Sequence, residues 1–229
     1  MTHDLARYPR RPAPATTRRI VPSRFPPVAA FEDAASADDL DAVLELEGWT
    51  NDRLVAARLS RLDPSLRVYG RPNASVVMAA FLHGSPQGGR FSSPVLGAWY
   101  AATELMTAVL EIANGLRKEM ALSGLAQKRE TFREYTARLG GDFVDIFGLH
   151  PEFHDPDDRS YPAAQAFGEQ VRQSGPGAGL AGIRYESVRH PGHESWVCFV
   201  PPMVQDVVQA RHFDIDLRPT GKVTVEQVG

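Results

Sequence analysis

Strand-length apolar runs and helical stretches alternate irregularly along this chain, and that irregularity decides which folds are open to it. A doubly wound parallel sheet needs a steady strand–helix–strand rhythm, whereas a mixed, largely antiparallel sheet does not. The expected class is therefore α/β or α+β, one domain built on a mixed sheet. The 229 residues, 43% of them hydrophobic, suffice for one well-packed core and are short for two. There is no internal repeat and no domain linker.

Several elements can be placed from pattern. Residues 19–28 are extended, since their prolines forbid a helix. Ser36, with Asp39 three residues on, is a capping-box-like start for a helix over 37–48, ended by Gly48. Thr50 or Asn51 caps a second over 51–62. The run SVVMAAFLH (75–83) has strand length, although its Met and Ala leave a helix open. A Gly-, Ser- and Pro-rich loop follows over 84–94, then a buried strand over 96–101. Thr103 is expected to cap a long helix reaching about Leu122. Residues 131–147 read as two strands meeting at Gly140 and Gly141. A helix over 160–174, a strand pair turning at Pro191 and Gly192, and a terminal hairpin turning at RPTGK complete the chain.

Composition narrows function mainly by exclusion. A net charge of -3 gives no sign of wholesale nucleic-acid binding. Cys198 is the single cysteine, so no internal disulfide forms and no cysteine-rich zinc module exists. No apolar run approaches the roughly 18 residues of a membrane span. The first 18 residues have arginines but no apolar stretch after them, so they do not read as a secretory signal. They are expected to form a mobile arm ahead of a domain over 19–229, in a cytoplasmic protein.

Motifs need weighing against plainer readings. Gly177, Gly179 and Gly182 spell G-x-G-x-x-G, but a helix precedes them and a strand follows. A dinucleotide fold needs the reverse order, so that a helix N-terminus meets the pyrophosphate. The stretch is expected to be a helix-to-strand loop. His150 and His154 lie four apart, and His190 and His193 three apart near Cys198. Such spacings can bind zinc, but both pairs sit in turn sequences, and no metal site is assigned. Glu111 shares a polar stripe with Glu104, Thr107 and Lys118, the pattern of a solvated helix face. Arg90 in its glycine loop, Tyr100 in its strand and Ser187 before a turn all have structural explanations. Pattern alone stops at a globular domain.

The order of several segments goes further. RRIVPSRFPPV, TND, RVYGRPNASVVMAAFLH, GGRFSSPVLGAWYAA, TAVLEI, GIRYESVRHPGHE and CFVPP together resemble the RES-domain family, over about residues 19–202. That resemblance implies a fold similar to ADP-ribosylating toxins and a toxin of a bacterial toxin–antitoxin module. It implies an enzyme that degrades NAD by hydrolysis or phosphorolysis, with ADP-ribosylation of a target protein, or a catalytically dead antitoxin-binding module, as alternatives. The implied partners are NAD and a helical antitoxin that blocks the active site; a homodimer is also open. No resident cofactor is implied, NAD being substrate and phosphate a co-substrate.

By position, the resemblance implies that Glu111 is the family glutamate, Tyr100 the tyrosine of the preceding strand and Arg90 the arginine of the glycine loop. The first family arginine is Arg19 or Arg67. The family often carries a serine or threonine where this chain has Ala163 and Ala164, so Ser187 or Ser160 takes the serine's part. Cleaving the nicotinamide–ribose bond passes through an oxocarbenium-like state that a carboxylate stabilises, which suits Glu111. Guanidinium groups clamp a pyrophosphate, which suits Arg90 with Arg19 or Arg67. Tyr100 offers a flat wall for the nicotinamide ring.

Overall fold

Strand alternation sorts the core into layers. In β3 (Trp99–Ala102) the side chains of Trp99 and Ala101 pack in one cluster, while Ala98, Tyr100 and Ala102 pack on the other side. The computed structural model describes residues 2–24, 31–36, 39, 42, 57–157 and 160–228. Most of the expected helix over 37–48 lies outside these residues, as does the first half of the one over 51–62. At the start of the first, the Ser36 hydroxyl accepts the Asp39 N–H at 3.1 Å, the capping contact its spacing suggests.

The strands are β1 (Arg10–Pro12), β2 (Thr17–Pro22), β3, β4 (Lys128–Leu139), β5 (Asp142–Asp145), β6 (Leu180–Glu186), β7 (Glu194–Cys198), β8 (Val204–Leu217) and β9 (Val223–Val228). They form one mixed sheet in the order β1-β5-β6-β7-β3-β2-β4-β8-β9. Every pairing is antiparallel except β5 with β6, so the expected mixed, largely antiparallel sheet of a single α/β domain is what forms. Helix α1 (Ala74–Leu82) covers one face; α2 (Leu105–Ser123) and α3 (Tyr161–Ala178) cover the other. Among the described residues, no helix is long and apolar enough to cross a membrane.

Three local expectations change. The run at 75–83 is the helix α1, not a strand: Ala74, Val77, Met78, Phe81 and Leu82 are buried, the i, i+3, i+4, i+7, i+8 stripe of a helix. A continuous apolar run hides this periodicity until a partner surface selects one face. Thr103 does not cap α2, because its hydroxyl donates to Glu194 Oε2 and accepts from Trp196 Nε1, each at 3.2 Å; Glu104 takes the cap position. The glycine-rich stretch after residue 174 continues α3 as far as Ala178, with Gly179 (φ +69°) ending it. β4 and β5 meet at Gly140 and Gly141 but do not pair with each other; β4 lies between β2 and β8, β5 between β1 and β6.

The first 18 residues, expected as a mobile arm, hold defined contacts. β1 pairs with the edge of β5, and the Asp145 N–H donates to the Pro9 carbonyl at 2.9 Å. The Tyr8 hydroxyl bridges His3 Nδ1 (3.0 Å) and His150 Nε2 (2.8 Å). The segment buries little apolar surface of its own, but the open backbone groups of β5 and a cluster of aromatic rings give it a template.

Candidate active site

β2 and β3 share a single bridge, Arg18 with Ala102. Next to it the Tyr100 carbonyl accepts from Arg19 Nη1 at 2.9 Å, and the Arg19 guanidinium lies 5.0 Å from the Trp99 ring centroid. A cleft of about 230 Å³ is lined by both strands here, and also by Glu111 of α2, Tyr161 of α3, Tyr185 of β6 and Arg90 of the glycine loop. Packing around Arg19 pulls its pKa down to about 10, so it stays cationic at neutral pH. Among the described residues its Nε has no hydrogen-bond partner. A cationic side chain on a cleft wall with a hydrogen-bond donor unused suits an anionic ligand.

The glycine loop is wrapped around Tyr100. That hydroxyl accepts the Phe91 N–H and bonds the Ser92 hydroxyl, both at 3.0 Å. A Cβ on Gly89 would lie 2.5 Å from it, which is why glycine is needed there. Tyr100 therefore both lines the cleft and holds the loop; burial raises its pKa, so the hydroxyl remains protonated. Arg90 is 8% exposed. Its Nη1 donates to the Phe153 and Asp155 carbonyls, each at 2.8 Å, and its guanidinium lies 4.8 Å from the Tyr161 ring centroid. It ties the glycine loop to the 151–157 segment while keeping its charge beside the cleft.

Glu111 is not on a solvated face. Ser187 Oγ donates to Glu111 Oε1 at 2.6 Å, and Ser187 Oγ in turn accepts the His190 N–H at 3.1 Å. Ser187 itself is buried, and its N–H donates to the His193 carbonyl. One turn earlier on α2, Thr107 is fully buried with its hydroxyl 2.8 Å from His190 Nδ1. Beside Glu111, burial and then the Glu111 charge push the Tyr185 hydroxyl well above the usual tyrosine range.

The structure thus brings Glu111, Ser187, Arg19, Arg90 and Tyr100 together. Arg67 is elsewhere: it lines a separate, open groove with Tyr69, Arg71 and Pro202. Ser160 is occupied at the start of α3, donating to the Asp157 carbonyl at 2.6 Å. Ala163 is exposed, whereas Ala164 is buried in the cluster of Phe91, Phe153 and Phe167. Four polar or aromatic wall residues escaped the sequence reading: Arg18, Tyr161, Tyr185 and Ser195. Tyr185 had a usable signal, since it lies two residues before Ser187 and so on the same strand face. Arg18 had none, being counted with the arm. It pairs with Glu134, a fully buried carboxylate that Arg211 also bonds at 2.8 Å.

The histidine pairs part company. His150 bonds Tyr8 and Glu152, and His154 bonds the His150 carbonyl. His190 and His193 stand with Glu104, one ligand atom from each lying within 4.8 Å of the others. Cys198 is not with them; it is buried in the core, which pushes its thiol up to about 12.

Residues 66–218 match the family model described as the RES domain. The chain is also similar to the uncharacterized protein y4oC of Sinorhizobium fredii, with 29% identity over 181 residues, 76% of this chain and 70% of that protein.

Proposed function

The chain belongs to the RES-domain family, a toxin-like and NAD-related family, and from that premise we propose that it cleaves NAD at the nicotinamide–ribose bond. One observation carries this reading above the others. Among the described residues lining the cleft, Glu111 is the single carboxylate, and Arg18, Arg19 and Arg90 stand around it.

Ordinary glycosidases use two carboxyl groups, one of them to protonate the leaving oxygen. Nicotinamide needs no such proton. When the C1′–N1 bond breaks, its electron pair goes to the ring nitrogen and cancels the pyridinium charge, so the base departs neutral. What remains is to stabilise the cationic ribose and bring in a nucleophile, which one fixed carboxylate can do. The Ser187 hydroxyl fixes Oε1 of Glu111. Water as nucleophile yields ADP-ribose, nicotinamide and a proton; phosphate yields ADP-ribose-1-phosphate and nicotinamide. The arginines hold the pyrophosphate and, in the second case, the incoming phosphate.

Size limits how much of the substrate is enclosed. Sites that enclose a whole ligand run to roughly 300–1,000 Å³, above the cleft's volume of about 230 Å³. The cleft therefore takes the nicotinamide–ribose end, with the adenosine end across its mouth. A helical antitoxin laid over that mouth would block the reaction.

Chromatographic assay of nicotinamide release, with and without phosphate, tests the proposal. Release that depends on phosphate marks a phosphorylase, and release without it a hydrolase. Label passing from NAD into a protein would move the activity to ADP-ribosyl transfer. No turnover of NAD would remove the enzymatic reading.

A further inference from the structure

A second set of donors sits outside the cleft, on the β6–β7 turn. Glu104, at the start of α2, and His190 and His193, on the turn, converge from elements far apart in sequence. Two imidazole nitrogens and a carboxylate oxygen suit a borderline divalent ion such as Zn²⁺ and not Mg²⁺ or Ca²⁺, which take oxygen.

Each imidazole is already held through its other nitrogen. His193 Nδ1 lies 3.1 Å from the Pro191 carbonyl. A carbonyl can only accept, so in the neutral ring Nδ1 carries the proton and Nε2 keeps its lone pair. That Nε2 is 3.6 Å from Glu104 Oε2. His190 Nδ1 is 2.8 Å from the buried Thr107 hydroxyl, which leaves Nε2 as its outward donor. Metal-bound histidines make this kind of second contact, which sets the tautomer and the ring orientation.

The two rings now stack, 3.5 Å between centroids and 4° from parallel. An ion in the plane of one ring cannot lie in the plane of the other while they stack. Binding therefore swings the rings apart, pivoting about their Nδ1 contacts, which their partial exposure permits.

We propose that Glu104, His190 and His193 form a binding site for a divalent transition metal, with water completing the shell. The ion pins the 187–193 turn to α2. Because that turn carries Ser187, the ion stiffens the support of Glu111 from outside the cleft. The site rests on its own geometry and not on the reading of the cleft.

The test is calorimetric titration of tag-free, chelator-stripped protein with zinc chloride. One equivalent is expected to bind, unaffected by millimolar magnesium. Glu104→Gln and His193→Asn should each weaken zinc by at least about tenfold, and His150→Ala, at the other histidine pair, should not. Glu104 is exposed, so its variant keeps the fold. The rise in Tm that zinc gives the parent protein should be absent in Glu104→Gln. Binding of no equivalent by the parent protein, or the same isotherm in both ligand variants, overturns the proposal. Neither readout uses NAD, so its failure is distinct from failure of the proposed activity.

Discussion

Ser187 Oγ donates to Glu111 Oε1 at 2.6 Å, across 76 positions of sequence. The bond sets the rotamer of the cleft's carboxylate and ties the turn after β6 to the second turn of α2. It leaves the other carboxylate oxygen for chemistry.

Replacing that carboxylate is the first check. Glu111→Gln keeps the shape and the contact with Ser187 but removes the negative charge facing a cationic ribose. Nicotinamide release should fall by about 10²–10⁴-fold, with an unchanged circular dichroism spectrum. Retained activity would take Glu111 out of the mechanism.

Ser187→Ala separates positioning from binding. A hydrogen bond to a charged group is worth about 1.5–3 kcal/mol, so kcat should drop by about 10–100-fold. KM should stay within a small factor, because the hydroxyl holds the carboxylate and not the substrate. A change in KM alone would show that Ser187 contacts substrate instead.

The two candidate arginines can be told apart kinetically. Arg19 lines the cleft, whereas Arg67 lines the other groove. Arg19→Ala should raise KM for NAD by about tenfold or more, the loss of one charge-assisted contact. Arg67→Ala should leave steady-state parameters where they are. The opposite ranking would return the clamp to Arg67.

Acid should unfold the protein through its paired carboxylates. Burial alone would raise Asp145, but the Phe147 N–H and the Arg184 guanidinium outweigh it and hold its pKa low. Burial likewise opposes, and Arg211 and Arg18 overcome, for Glu134. Folded values below the unfolded ones mean stability that is present above about pH 4 and lost as pH falls through the folded pKa values. The urea midpoint should therefore decline on acidification below that point, and more shallowly in Asp145→Asn. A midpoint independent of pH in this range would exclude these pairs as the acid-sensitive groups.

The N-terminal segment should contribute measurable stability. Tyr8→Phe removes the bridge between His3 and His150 and should cost about 1–3 kcal/mol for two hydrogen bonds, read from urea denaturation. Deleting residues 2–12 should speed hydrogen exchange at the Asp145 amide, which donates to Pro9. Unchanged exchange there would return the segment to a mobile arm.

Legibility followed the range of the interaction. The terminal hairpin, the β6–β7 pair and α2 were readable because their signals lie within a dozen or so neighbouring residues. The conformation of 75–83 was not, because a wholly apolar run is compatible with either period until a surface meets it. The proposed metal-ligand set was partly visible: two histidines three apart could be seen, but Glu104 could not be associated with them. Arg18 and the first strand were hidden by a polar composition that gave no reason to expect order.

Composition and the irregular succession of elements, which are local properties, determined the mixed sheet, and the order of short motifs determined the family. Neither could decide whether Glu111 faces water or a cleft, since a helix presents the same polar stripe in both cases. Tertiary structure decided it, by carrying the Ser187 turn over α2 and by letting β2 leave β3 after one bridge, so that Arg19 and Glu111 line the same space. That placement depends on contacts 76 and more residues apart, which no local pattern encodes.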